Sequence, residues 1–264
     1  MEVEDFSKYN GEGTQLRKAQ LRLLDILVEV DRICRHNGIQ YWIESGTLLG
    51  AVRHGGFIPW DDDIDIFILQ KDFKRTKKIL NAELPSHLIF EDSSTDRYFS
   101  LVCGKVKDTT TFMKEKGINP KIKHHHLFID IIPMEPMFSE KSKIWVDSIY
   151  GRVYRRIHNA DSDKKERVAA YLLWPMAFLL VVIMRVLAKI FNVKYLGRAY
   201  GWPFYQMVER ADVFPCSTIN FEGHEFPCPK NPDKVLTAIY GDYMQIPPED
   251  KREIHALEIE FLDE

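Results

Sequence analysis

The chain has 264 residues, is 45% hydrophobic and carries a formal net charge of −3. That is enough apolar material for one sizeable core plus an accessory subdomain, and too little positive charge to hold nucleic acid through a general basic field. A nucleotide or sugar-phosphate ligand therefore needs a local site. The cysteines, Cys34, Cys103, Cys216 and Cys228, lack C-x-x-C spacing and read as buried thiols rather than a disulfide framework.

The N-terminal "MEVEDFSKYNGEG" is acidic and polar with no apolar stretch, so no secretory signal is expected and the expected compartment is the cytoplasm. "QLRKAQLRLLDILVEVDRICRHNG" spaces Leu16, Leu23, Leu27, Val30 and Cys34 along one helical face, with Gly38 as its stop. "IQYWI" follows as a short strand. "TLLGAVRHGG" is a turn plus about two helical turns, ended by Gly55 and Gly56, and Pro59 prevents continuation. From Asp63 to Ile68 the pattern alternates, acids on one side and Ile64, Ile66 and Ile68 on the other. That predicts a strand with an apolar core face and an acidic cleft face.

"KDFKRTKKILNAEL" reads as a helix, and "YFSLVCGKVKD" and "HLFIDIIPM" read as strands, the second with Asp130 isolated among apolar residues. Residues 139–205 read as helical, and the tail is turn-rich with a short acidic helix at its end. Expected divisions are a core over 1–138, a helical accessory segment over 139–205 and a C-terminal segment over 206–264 that packs back on the core. Within the accessory segment, "AAYLLWPMAFLLVVIM" (169–184) is almost wholly apolar and is followed by Arg185, Lys189, Lys194 and Arg198. It is shorter than the roughly 20 residues a membrane span needs. Three readings stay open: a buried helix, a helix lying in the membrane interface with its basic flank, through 169–198, on anionic headgroups at the inner face, or, least favoured for its length, a true span.

Asp63 and Asp65 share a strand face, and two carboxylates so placed oppose each other's ionisation unless a cation sits between them. Carboxylate oxygens favour Mg²⁺, Mn²⁺ or Ca²⁺, and Asp130 completes the site if its strand is a neighbour. Asp62 reads as a turn residue. A calcium loop starting at Asp61 fails because Ile66 stands where glycine is required. Upstream, Gly46 and Thr47 open a helix whose free N–H groups suit a phosphate, with Arg53 and His54 at its end. His124 to His126 form a triple histidine beside the third acid, but consecutive strand residues point to opposite faces, which argues against zinc.

The string "YWIESGTLLGAVRHGGFIPWDDDIDI", together with "GKVKDTTT", "FIDIIP" and "YGDYMQIPP", resembles the LicD/fukutin family within the nucleotidyltransferase-fold superfamily. The resemblance runs from Leu24 to about His255 and is weakest in the helical middle. It implies an α+β fold: a nucleotidyltransferase-like core with a mixed β-sheet flanked by helices, plus a helical accessory insertion. It also implies an enzyme that moves a phosphorylated alcohol, phosphocholine foremost, from a CDP donor to a glycan hydroxyl with release of CMP, using Mg²⁺ (or Mn²⁺). Carried over, Asp63, Asp65 and Asp130 are catalytic, and with Asp61 they form the metal set. Gly46, Thr47, Arg53, His54 and Lys105 form the donor-phosphate site. No cysteine zinc motif precedes the catalytic region, so the chain resembles the bacterial phosphocholine transferases. Glu44, just before the Gly-Thr turn, is a departure. Trp42, Trp60, Tyr240, Tyr243 and Glu222 are the residues from which a choline cage is expected. Rival readings are an NTP-dependent nucleotidyltransferase, an Asp-x-Asp glycosyltransferase and a non-catalytic binding subunit.

Overall fold

The computed structural model describes residues 5–159 and 162–263. In chain order the elements are helix α1 (Ser7–Asn10), helix α2 (Gln15–His36), strand β1 (Tyr41–Ile43), helix α3 (Ser45–His54), strand β2 (Asp65–Leu69), helix α4 (Gln70–Glu83), and strands β3 (Leu88–Asp92), β4 (Gly104–Asp108), β5 (Thr111–Glu115) and β6 (Phe128–Met137). Helices α5 (Glu140–His158) and α6 (Lys164–Ile190) follow, then strands β7 (Tyr195–Arg198) and β8 (Met207–Glu209), helix α7 (Arg210–Val213), the hairpin β9 (Ser217–Phe221) and β10 (His224–Cys228), helix α8 (Pro232–Tyr240) and strand β11 (Ala256–Phe261).

The main sheet has the order β1-β2-β6-β4-β3, with β7 on the second half of β6 and β8 outside β7. Only β2 and β6 run parallel; the other pairings are antiparallel. The fold is therefore α+β, a mixed sheet flanked by helices. Thr14 opens α2 by accepting the Arg17 N–H, and the stripe Leu23, Leu27, Val30 and Ile33 is completely buried. Ile66, Ile68, Ile129 and Ile131 of the central strands are buried in the same core. Cys34, Cys103 and Cys228 are buried, Cys216 is half-buried, and all four are free thiols.

The structure corrects three sequence readings. The acidic strand begins at Asp65, so Asp63 and Ile64 belong to the approach loop. Residues 139–205 are not helical throughout: β7 returns to the sheet, pairing Arg198 with Met134. The acidic terminal helix is instead strand β11, which pairs antiparallel with β5. Ile259 is buried while Glu258 and Glu260 face solvent, a period of two rather than 3.6.

Helix α6 runs for 27 residues and is long and apolar enough to cross a membrane by length and composition. Its buried residues are Ala170, Ala177, Val181 and Ala188, which face α5 and the sheet. A buried core helix is therefore excluded. Leu172 and Met176 are 76% and 73% exposed, and Leu179, Ile183, Val186 and Ile190 of α6 and Trp145 of α5 are exposed as well. The hairpin is fixed to the sheet by the Arg185–Glu135 ion pair.

Candidate active site

Register places a row of charge across one face of the sheet. Asp65 pairs with Asp130, Asp130 with Lys105, and Lys105 with Glu91. Directly paired residues share a face, so the two catalytic acids expected from the sequence stand side by side. Asp130 is fixed by its backbone N–H donating to the carbonyl of Ile64 at 2.8 Å. The Asp65 carboxylate accepts no hydrogen bond among the described residues.

Asp61 and Asp63 reach the same cleft from the loop. Burial, then Asp62 and Asp65, push the Asp61 carboxyl up to about 7. Burial and the charge of Asp61 push Asp63 well up, and burial with Asp63 and Asp130 does the same to Asp65. Such crowding is the signature of a site whose charge is completed by a cation. Hard oxygen donors at a cleft fit Mg²⁺ or Mn²⁺.

Asp62 is no bystander. It is completely buried, and its carboxylate accepts the backbone N–H groups of His255 and Ala256 and the His255 ring at 3.0 Å. His255 Nδ1 also lies 3.9 Å from Asp63. Asp61, Asp62 and His255 cluster tightly enough to suggest metal ligation. The hydrogen bond to Asp62, however, raises the imidazole to about 9, so a divalent ion would have to displace its proton before Nδ1 could serve as a ligand. The cluster is better described as an ion pair that ties β11 to the acidic loop. Asp61, Asp63, Asp65 and Asp130, the donor set expected from the sequence, do not form so tight a group among the described residues.

The phosphate-side residues divide. Ser45, ahead of Gly46, sits at φ 55, a left-handed conformation that costs a non-glycine residue about 1 kcal/mol. Its hydroxyl accepts from the Arg198 guanidinium at 2.8 Å. Gly46 lies against Asp61: a Cβ there would come within 2.9 Å of Oδ2. Thr47 Oγ1 accepts the Asp65 N–H at 2.8 Å, which leaves its own O–H free to donate. Arg53 donates to the Tyr243 carbonyl and to His54 Nε2. Burial and Arg53 push His54 down to about 4, so His54 adds no positive charge. Lys105 is two strands from α3, separated by β6 and β2. Its Nζ lies 3.7 Å from both Asp130 and Glu115 and 3.1 Å from the Phe128 ring centroid.

The choline cage does not assemble. Trp42 is core, packed on Phe67 and Phe214, and Trp60 is buried under Arg252. Glu222 is paired with Arg17 at 2.7 Å, and the Tyr243 hydroxyl donates to Asp233. Only Tyr240 faces the acids; burial and the charge of Asp65 push its hydroxyl upward. Glu44 is fully buried, accepts the Trp42 indole N–H at 2.6 Å and is pushed by burial to about 7. The triple histidine forms no metal cluster among the described residues; His126 is bonded to the Thr111 carbonyl. Arg198, which the sequence reading put in the basic flank on membrane headgroups, lies instead in β7, bonded to Ser45, as a half-buried cation whose charge favours ionisation of Asp65 and Glu44. Sequence reasoning missed His255. The period-two pattern of "HALEIEF" signalled a strand at His255, while nothing local pointed to Arg198 as a residue of the site.

Residues 38–163 match the family model described as LicD/FKTN/FKRP, nucleotidyltransferase domain. The chain is 27% identical to the lipopolysaccharide cholinephosphotransferase LicD of Haemophilus influenzae, over 94% of this chain and 98% of that protein. It is 31% identical to the human ribitol 5-phosphate transferase FKRP over 42% of this chain and 20% of that protein. A third similarity, 34% identity to mannosyltransferase regulator 4 of Saccharomyces cerevisiae, spans 30% of this chain and 7% of the relative.

Proposed function

From the premise that this chain belongs to the LicD/FKTN/FKRP family, through its nucleotidyltransferase domain, we propose that it is a metal-dependent transferase. It moves a phosphorylated alcohol, phosphocholine from CDP-choline foremost, onto a hydroxyl of a cell-surface glycan or its lipid-linked precursor and releases CMP. The observation that carries the reading is the gathering of Asp61, Asp63, Asp65 and Asp130 at one cleft, with the Asp61, Asp63 and Asp65 carboxyls pushed up by burial and by neighbouring carboxylates. The near full-length similarity to a cholinephosphotransferase supports it.

These four aspartates would hold the divalent ion, which supplies charge neutralisation for the donor diphosphate. Thr47 donates its free O–H, and Arg198 brings positive charge to the diphosphate. The acceptor hydroxyl forms the new O–P bond at the distal phosphorus as the P–O bond to CMP breaks, and CMP takes that electron pair. Asp130 takes the hydroxyl proton. The exposed apolar face of α6, with Lys189 and Lys194 at its end, suits a helix lying on an anionic membrane surface at the cytoplasmic face. That position brings a lipid-linked acceptor within reach.

The test is a panel of CDP-choline, CDP-ethanolamine, CDP-glycerol and CDP-ribitol assayed for CMP release with and without Mg²⁺. Mg²⁺-dependent CMP release with one donor is the expected result. Release of pyrophosphate from CTP or ATP, with none of CMP from the panel, would replace this reading by the nucleotidyltransferase one. Transfer of an intact sugar would replace it by a glycosyltransferase.

A further inference from the structure

A cavity of about 640 Å³ opens over β4, on the sheet face that carries the aspartates. Lys105 is shared between the two: it contacts Asp130 on one side and lines the cavity on the other. The chain as a whole is acidic, yet the charged side chains lining this space are Lys105, Lys107, Lys121 and Arg155 against Glu115 alone. Lys107 is committed to Glu91 and to the His124 carbonyl. Arg155 and Lys121 are exposed and have no ion-pair partner among the described residues.

Lys105 is the decisive residue. It is 4% exposed, and its two ion contacts at 3.7 Å are beyond hydrogen-bond reach. Among the described residues it donates no hydrogen bond. Its ammonium, held by Asp130, Glu115 and the Phe128 ring, keeps N–H donors that oxygen atoms of a molecule in the cavity can accept. The polar lining from His124, His126 and His158, with Tyr98 at the edge, suits a hydroxylated ring, and the volume suits a small molecule.

Position decides which substrate the cavity serves. The donor phosphates belong on the α3 side, where Thr47 and Arg198 lie beside β2. In-line displacement puts the attacking hydroxyl opposite the leaving group, which is the β4 side, beyond Asp130. We propose that this cavity binds the acceptor through a phosphate carried on its sugar, an assignment that rests on the transferase reading above. Lys105 and Arg155 grip the phosphate, and Lys121 screens it at the rim.

The test is calorimetric titration of the full chain with glucose 6-phosphate, glucuronate and glucose, repeated on the double variant Lys121→Ala/Arg155→Ala. Both side chains are exposed, and circular dichroism checks that the variant folds. Glucose 6-phosphate should bind the wild type, glucose should not, and the double variant should bind at least about tenfold more weakly. Equal affinity for glucose, or unchanged affinity in the variant, would overturn the proposal. Glucuronate binding as tightly would overturn the choice of phosphate. Displacement of glucose 6-phosphate by CDP-choline from the wild type would reassign the cavity to the donor. Absence of CMP release from the wild type would count against the transferase reading, and the sugar-phosphate titration would still judge the cavity.

Discussion

In the cleft, Asp61, Asp63, Asp65 and Asp130 are gathered together with Lys105, His255 and Arg198 as neighbouring cations. Along α6, Leu172, Met176 and Leu179 stand in solvent, while Ala170, Ala177, Val181 and Ala188 are buried and Trp174, Leu180 and Met184 pack half-buried beside them. One region crowds like charges where water is scarce, and the other leaves hydrocarbon where water is plentiful. Each arrangement is unfavourable for an isolated chain, and each becomes favourable on adding a different component. The cleft is relieved by a small cation, the helix by a hydrocarbon phase. The comparison therefore separates a site defined by a few atoms from a surface defined by area, and substitutions should affect the two in different ways.

The largest effect is expected at the cleft. Asp65→Asn keeps the shape and removes one charge. Turnover, measured as CMP release, should fall by at least about a thousandfold. The metal-free protein should melt no lower than wild type, because a carboxylate opposed by Asp63 and Asp130 has been neutralised. Near-normal turnover would remove Asp65 from the metal set. A large loss of melting temperature would show that the carboxylate is structural.

The hairpin should respond the other way. Leu172→Glu with Leu179→Glu alters two exposed positions, so folding and CMP release from a soluble acceptor should be unchanged. Burying a leucine side chain is worth about 1.5–3 kcal/mol. Sedimentation with vesicles of mixed zwitterionic and anionic phospholipid should therefore show at least about tenfold weaker binding. Retained binding would reject the interfacial role of α6 and leave its exposed face to another protein surface.

How much of this was legible follows from the range of each interaction. The alternation in "DIDIFIL" located the acidic face because period two is local. The pairing of Asp65 with Asp130 could be anticipated because each sits in an apolar strand signal. The Glu-rich C-terminus was misread as a helix because composition outweighed its short alternation, and the strand depends on β5. Trp42, Trp60 and Glu222 were drawn into a cage by residue type alone, whereas their partners Phe214, Arg252 and Arg17 lie far away in sequence. Asp62 is the clearest case: its partner His255 is 193 residues distant, and no window of sequence shows why a fourth aspartate stands there.

That pair sets the smallest effect and the boundary between acids that await a cation and acids already satisfied. The hydrogen bond to Asp62 raises His255 from its ordinary 6.5 to about 9. A base whose folded value lies above its unfolded one binds a proton more tightly when folded. Its stabilisation is therefore fully present below about pH 6.5 and is lost as pH rises through about 9. The His255 side chain is nearly half exposed, so solvent limits the contribution to less than about 1 kcal/mol. That corresponds to roughly 2–4 °C in melting temperature for a chain of this size. Wild type should lose this increment between pH 6.5 and 9, and His255→Ala should lack it throughout. The crowded acids slope the same way at lower pH: Asp61, raised to about 7, destabilises the metal-free fold as pH rises from about 4 to 7. Mg²⁺ should flatten that lower slope, because it binds the ionised carboxylates, and leave the His255 increment in place. If Mg²⁺ instead abolishes the increment above pH 7, the metal is held by Asp62 and His255, and the two kinds of aspartate are one.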